Sequence, residues 1–210
     1  MSILVGETGW ERKDLDAYWT EPWCVEWLLA AMGELTSKKN VVWEPACGNG
    51  QMAEALRKHG YDVLATDVKD YGYQHMQGVQ DFLSVEYVDP VIDVIITNPP
   101  YEIKGVEGVP DVTAESFIRH ALRLMEPVGG KVIMLLRNEF DSASSRVDLF
   151  DGYPFVCKYV LTRRPRWVEK QKGDPSPRHN YSWFVWDWGM PESTTAVIRY
   201  LRKPKVESPA

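Results

Sequence analysis

At 210 residues, 44% hydrophobic and 26% charged, the chain is long enough to bury a sizeable core and reads as one soluble globular domain. Its longest apolar runs, such as Val132 to Leu136, are far too short to span a bilayer, and the N-terminus lacks a signal-peptide pattern. A net charge of −6 argues against general adhesion to nucleic acid but leaves room for a local basic patch. Cys24, Cys47 and Cys157 are odd in number and widely spaced, which excludes a disulfide framework or a zinc site and fits a reducing cytoplasm.

Met1 to Asp16 is polar and reads as an arm. Tyr18-Trp19-Thr20-Glu21-Pro22 then opens a helix, with Thr20 as its N-cap, Pro22 in the first turn and Gly33 as a left-handed stop. Trp23, Trp27 and Ala30 form one stripe, with Leu28 and Met32 beside it, and core packing is its simplest use. Asn40 to Glu44 is the first strand, followed by the turn Pro45-Ala46-Cys47-Gly48-Asn49-Gly50 and a helix from Gln51 to His59 that stops at Gly60. A strand, a Gly-x-Gly turn and a helix form the nucleotide-cradling corner of a Rossmann-like sheet: glycines let the backbone approach a ligand, and the helix start offers free amides. The second strand, Tyr61 to Thr66, ends in Asp67, which is placed either to bind ribose hydroxyls or simply to cap. An irregular piece with Tyr71, Tyr73 and His75 leads to a third strand, Val79 to Leu83, carrying Asp81 and Phe82 at its end.

The central strand is Val91 to Thr97, a β-branched run suited to burial on both faces of a parallel sheet. Asn98-Pro99-Pro100-Tyr101 stops it abruptly, because neither proline donates to a ladder and each forces the residue before it into an extended conformation. A rigid amide and an aromatic ring therefore sit at the carboxyl end of a central strand, the edge where open α/β sheets bind ligands. Glu102 to Asp111 reads as a mobile flap and Thr113 to Met125 as an amphipathic helix. Lys131 to Arg137 is a fifth strand, Ala143 to Phe150 a short helix, and Val156 to Leu161 a sixth strand. Tyr181 to Trp188 is a seventh, alternating as an antiparallel edge strand does. Thr194 to Lys205 is a candidate last strand. Between the sixth and seventh lies the most basic segment of the chain, with Arg163, Arg164, Arg166, Lys170, Lys172 and Arg178 against only Glu169 and Asp174, and with Trp167, His179 and Tyr181 interspersed. That mixture suits a phosphate backbone and unstacked bases, with a solvated charged hairpin as the plainer alternative.

Glu44-Pro45-Ala46-Cys47-Gly48-Asn49-Gly50 together with Asn98-Pro99-Pro100-Tyr101 resembles the S-adenosylmethionine-dependent amino methyltransferases, the DNA adenine-N6 enzymes above all. The resemblance runs from about Tyr18 to Trp188. With Arg137, Phe140 and Arg146 after the fifth strand and Arg164-Pro165-Arg166-Trp167 before Tyr181 to Trp186, it looks like the compact phage and prophage methylases. It implies a class I methyltransferase fold, Rossmann-like, with a seven-stranded mostly parallel sheet and an antiparallel edge hairpin in one domain. Large enzymes of this branch carry a separate target-recognition domain, and no segment here is long enough to be one. The resemblance further implies that Tyr18, Trp19 and Thr20 hold the methionine part of the cofactor. Glu44, Pro45, Ala46, Cys47, Gly48 and Gly50 would line its amino-acid moiety and ribose, with Asp67 on the ribose hydroxyls. Asp81 would accept from its adenine amine, with Phe82 against the ring. Asn98 to Tyr101 would be the catalytic turn, with Trp167 as a second aromatic for the target base. No metal is implied.

The chemistry accounts for these residue types. An exocyclic adenine amine is a poor nucleophile because its lone pair is delocalised. Accepting its hydrogens at the Asn98 side-chain oxygen and the Pro99 carbonyl favours a pyramidal nitrogen and stabilises the positive charge that develops. The sulfonium methyl is already activated, so alignment is the protein's main task. Cytosine-C5 methylation would need a Pro-Cys pair, and no Cys here follows a Pro. Duplex DNA would have to give up its base by flipping, with Tyr101 stacking on it. An RNA base or a protein glutamine suits the same turn, and a non-catalytic cofactor-binding protein is the alternative from another class. The recognition sequence and oligomeric state are not legible.

Overall fold

The computed structural model describes residues 18–35, 41–105, 111–167, 177–191 and 193–204. In chain order the regular elements are α1 (Pro22–Met32), β1 (Val41–Glu44), α2 (Gln51–Lys58), β2 (Asp62–Asp67), β3 (Gly78–Val79), β4 (Val94–Thr97), β5 (Glu102–Ile103), β6 (Val112–Thr113), α3 (Ala114–Met125), β7 (Lys131–Arg137), α4 (Val147–Asp151), β8 (Phe155–Leu161), β9 (Tyr181–Asp187) and β10 (Val197–Leu201). Eight of the strands form one sheet in the order β10-β8-β9-β7-β4-β1-β2-β3, while β5 and β6 pair as a separate small hairpin. The sheet is parallel throughout except for β9, which runs against both β7 and β8.

Strand alternation explains why both faces are covered. Val42, Val94, Ile96, Ile133, Leu135, Trp183 and Val185 enter the core on the side of α1 and α2. Their neighbours Trp43, Ile95, Val132, Met134, Leu136, Phe184 and Trp186 enter the opposite core, under α3 and α4. Each central strand thus reads as a continuous apolar run, because one residue goes to each layer in turn. α3 is held at its start by a capping box between Thr113 and Ser116.

Several sequence expectations are corrected. The main sheet has eight strands, not seven, because β10 adds an outermost parallel strand beside β8; the antiparallel β9 lies inside the sheet rather than at its edge, because it pairs with β7 on one side and β8 on the other. Every residue of β9 is buried, since both its neighbours and both layers cover it. Thr20 does not cap α1. It is buried, Glu21 occupies the cap position without a side-chain cap, and the Glu21 carboxylate instead accepts the Arg166 backbone N–H at 2.6 Å. The buried face of α1 is Cys24, Val25, Trp27, Leu28 and Leu29, whereas Ala30 is exposed. The strand expected at Val79 to Leu83 is only Gly78–Val79, because the Asp81 side chain accepts the Leu83 N–H and turns the chain into a single 3-10 turn over Phe82–Ser84. The central strand begins at Val94 rather than Val91, which lies in an exposed turn. Two 3-10 turns precede α4 in place of one helix from Ala143. Of the expected flap, the β5–β6 stems are ordered, and 106–110 lie outside the described residues.

Candidate functional site

β1, β2, β4 and β7 are parallel neighbours, so their carboxyl ends meet at one edge of the sheet. Glu44 closes β1, Asp67 closes β2, Asn98 follows β4 and Arg137 closes β7. A cleft of about 780 Å³ opens over the first three of these ends. Its walls include Tyr18, Trp19, Thr20, Glu44, Pro45, Ala46, Cys47, Gly48, Asp67, Asp81, Phe82, Asn98 and Pro100. Nearly all of the expected cofactor set is therefore brought together. Gly50 is the exception: it caps α2 in a left-handed conformation (φ 82°) behind the wall, with the Tyr73 ring packed where a Cβ would go.

The glycine turn is pinned by Asp67. One carboxylate oxygen accepts the Gly48 N–H at 2.8 Å, the other the Lys69 N–H at 3.2 Å, and the Cys47 N–H reaches the Thr66 carbonyl at 3.0 Å. Gly48 has φ 54°, and a Cβ there would run into the Trp19 ring, so this position needs glycine for both conformation and space. Trp19 in turn meets Tyr71 edge-on at 5.0 Å.

Two acceptors in the cleft lack donors among the described residues: one carboxylate oxygen of Glu44 and the side-chain oxygen of Asn98. Burial, and then the neighbouring Asp67, pushes the Glu44 carboxyl well above its ordinary range. Asp67 is also raised by burial, against the opposing pull of its backbone N–H donors. Burial and then the same two acids push the Cys47 thiol up, so Cys47 is inert as a nucleophile. The Asn98 carboxamide is oriented by its Nδ2, which donates to the Tyr18 carbonyl at 3.2 Å and joins segments 80 residues apart. That bond leaves the oxygen as a fixed, unused acceptor.

Tyr101 does not line the cleft. Its hydroxyl accepts the Arg137 backbone N–H, its ring lies edge-on to Tyr181 at 6.5 Å, and the Arg137 guanidinium sits 5.1 Å from the ring centroid. Pro99 is buried beneath the turn. Trp167 joins this aromatic group, donating from Nε1 to the Tyr181 hydroxyl at 3.1 Å and meeting the Tyr18 ring at 6.3 Å. The basic segment is divided. Arg163 lies 4.7 Å over Trp23 and 3.7 Å from Glu21, and Arg164 donates to the Asn180 side chain and the Pro177 carbonyl. Arg178 is exposed, Arg166 is half-buried, and Lys170 and Lys172 lie outside the described residues.

Sequence reasoning missed Tyr71, Gln80, Ile103, Val112 and Phe117 as cleft residues. Tyr71 and Phe117 were visible only as a loop aromatic and a helix core position. Ile103 and Val112 reach the cleft through the β5–β6 pairing, which no local pattern signals. Among the described residues no group of His, Cys, Asp and Glu could hold a metal, and no helix is long and apolar enough to cross a membrane.

No protein-family model matches the chain, and no curated protein matches it. Solved structures do. A candidate class I S-adenosylmethionine-dependent methyltransferase from Listeria monocytogenes superposes with a TM-score of 0.57 at 20% identity, over 86% of this chain and 64% of that one. The modification subunit of a candidate type I restriction enzyme from Vibrio vulnificus gives 0.57 at 15% identity, over 91% of this chain and 48% of that one. A candidate RNA methyltransferase from Pyrococcus horikoshii gives 0.57 at 14%, over 82% and 87%. The chain thus spans about half to two thirds of the length of the first two. The likeness shows the fold, a Rossmann-like class I methyltransferase architecture.

Proposed function

We propose that the chain is an S-adenosylmethionine-dependent methyltransferase, carried by one domain, that methylates an exocyclic amino group, with adenine N6 in DNA as the best-fitting acceptor. The observation that carries this is the Asn98 oxygen: buried, oriented by the Tyr18 carbonyl, without a donor, and set beside two prolines at the wall of the cleft. A buried acceptor left unsatisfied is costly, and such a cost persists where a ligand supplies the donor.

The residues present fit the cofactor. The left-handed Gly48 keeps the cleft floor free of side chain, and the orphaned Glu44 oxygen can take an ammonium group. Tyr18, Trp19, Thr20 and Glu44 would hold the methionine end, Asp67 the ribose side, and Asp81 and Phe82 the adenine. When bound, S-adenosylmethionine supplies a methyl group already activated on a sulfonium.

The protein's own part is alignment and charge. The Asn98 oxygen accepts one N–H of the acceptor amine and the Pro99 carbonyl the other, which holds the lone pair towards the methyl and stabilises the positive charge as the new C–N bond forms. An amide oxygen is too weak a base to keep the proton, so one N–H proton leaves to water afterwards. Trp167, Tyr181 and Tyr18 form an aromatic group beside the turn that suits a planar base better than a glutamine side chain.

The test is tritiated-methyl transfer to duplex DNA, single-stranded DNA, RNA and protein extract, followed by digestion and identification of the methylated unit. N6-methyladenine from DNA is the expected product. Asn98→Ala should bind S-adenosylmethionine as tightly as wild type while losing about 100- to 1,000-fold in turnover, the scale of losing one preorganised hydrogen bond to a transition state. Wild-type turnover in Asn98→Ala would end the amino-methyltransferase assignment.

A further inference from the structure

Several of the described cations around the sheet edge have partners. Arg163 has Glu21, Arg164 has Asn180 and Pro177, Lys158 has Asp141, and Arg146 has Glu115. Arg137, half-buried at the end of β7, has no acceptor for its guanidinium among the described residues, and its Nε is sealed from solvent without a partner. An N–H sealed from solvent without an acceptor is costly, because that donor gives up water and gains nothing in return. The Tyr101 ring beneath the guanidinium offsets part of that cost through a cation–π contact, and this holds the planar fork at a fixed place.

That place is beside the catalytic turn. Thr97 of β4 is level with Met134 of β7, so Arg137 projects past the strand end on the side of Asn98 to Tyr101. The Arg137 backbone N–H is spent on the Tyr101 hydroxyl, which ties the two together. Other arginines share the neighbourhood: the His179 imidazole is held below its ordinary range, first by desolvation and then by the charges of Arg137, Arg178 and Arg164, with Glu139 acting the other way. Three arginines against one acid, Glu139, favour a polyanion over a single carboxylate.

We infer that Arg137 binds a backbone phosphate of the acceptor strand next to the nucleotide held at Asn98, an inference that rests on the nucleic-acid reading above. A planar guanidinium matches two phosphate oxygens bidentately, and the Tyr101 ring pre-orders it for that contact. Phosphate contact positions the strand without naming its sequence, so Arg137 sets the register of the target base rather than the recognition site.

The experiment compares wild type, Arg137→Gln and Arg137→Lys on short random-sequence duplex DNA, measuring affinity across a salt series together with methyl transfer, S-adenosylmethionine binding by calorimetry and melting temperature. Arg137→Gln should weaken duplex binding about tenfold at low salt, the worth of one charge-assisted contact, and reduce the slope of log affinity against log salt by about 0.9. Arg137→Lys should restore the slope but only part of the affinity. Cofactor affinity and melting temperature should not fall in either variant. Unchanged affinity and slope in Arg137→Gln, or an unchanged slope with a lowered melting temperature, would overturn the assignment in favour of a purely structural arginine. Wild-type transfer confined to protein would instead remove the nucleic-acid reading and this inference with it.

Discussion

The two sides of the Asn98 turn are built on different principles. On the cleft side, local backbone turns do most of the work: Gly48 is fixed by the Asp67 carboxylate, Cys47 by Thr66, and Leu83 by Asp81. On the Tyr101 side, side chains from remote elements do it. Trp167 precedes the segment outside the described residues, Tyr181 opens β9 and Arg137 closes β7; the sheet sets Tyr181 beside Arg137, and Trp167 reaches Tyr181 by a side-chain hydrogen bond. A backbone-built site depends on single positions that nothing else can fill. A side-chain-built site spreads its function, so losing one part should cost less than losing a position of the glycine turn.

The sharpest way to break this contrast is Gly48→Ala. The position has φ 54° and a Cβ would enter the Trp19 ring, so the variant must carry about 1–3 kcal/mol of backbone strain and displace a cleft wall. S-adenosylmethionine affinity should fall by about 100-fold or more, near 2.7 kcal/mol, with a lowered melting temperature. Gly60→Ala is the control. Its φ of 85° imposes similar strain, but nothing stands near its Cβ and it lies at the far end of α2, so stability should drop while cofactor binding persists. Equal cofactor affinity in Gly48→Ala and wild type would show that the turn is not the cradle.

The same contrast governs what was legible in the sequence. Glu44 to Gly50 and Asn98 to Tyr101 could be placed because glycine and proline dictate local backbone, and hydrophobic runs fixed the central strands that carry them. Thr20 was misassigned as a cap because its burial comes from packing in the cleft wall, which no local pattern encodes. The position of β9 inside the sheet, and hence Tyr181 beside Tyr101, comes from its insertion between β7 and β8, a choice made by tertiary pairing. Arg137 was noticed as a residue type, but its lack of an acceptor is a fact of three-dimensional neighbours alone.

A smaller effect should separate binding from stability at Glu44. Its carboxyl is raised by burial and by Asp67, offset in part by the Ala53 backbone N–H. A carboxyl raised on folding stabilises fully below its unfolded value, near 4.5, and that contribution is lost as pH climbs through the folded value. Without cofactor, wild-type stability should therefore fall from acid towards neutral pH relative to Glu44→Gln, by about 1–3 kcal/mol, the scale of an unsatisfied buried polar group. Added S-adenosylmethionine should reverse the ranking at neutral pH, since only the carboxylate can pair with its ammonium group. Melting curves of both proteins from pH 4 to 8, with and without cofactor, test this; parallel curves throughout would mean that Glu44 stays neutral and plays no part in binding.

The smallest effect is expected where the sequence alone suggested the largest, at the arginines of the β8–β9 connection. Read as free charges, Arg163, Arg164 and Arg166 promise up to about three phosphate contacts. In the fold, Arg163 is drawn to Glu21 and the Trp23 face, and Arg164 is held by Asn180 and Pro177, so each must give up a protein partner before it gains a phosphate. The exposed Arg163–Glu21 pair contributes about 0–1 kcal/mol, and the cation–π contact about 0.5–1 kcal/mol. Arg163→Ala with Arg164→Ala should therefore lower the melting temperature slightly and change the salt slope of duplex binding by less than one phosphate contact. Cofactor affinity should be untouched, because neither residue lines the cleft. A slope reduced by two contacts or more would make the connection the main grip on the backbone and would erase the distinction between a few placed residues at the turn and a solvated basic surface around it.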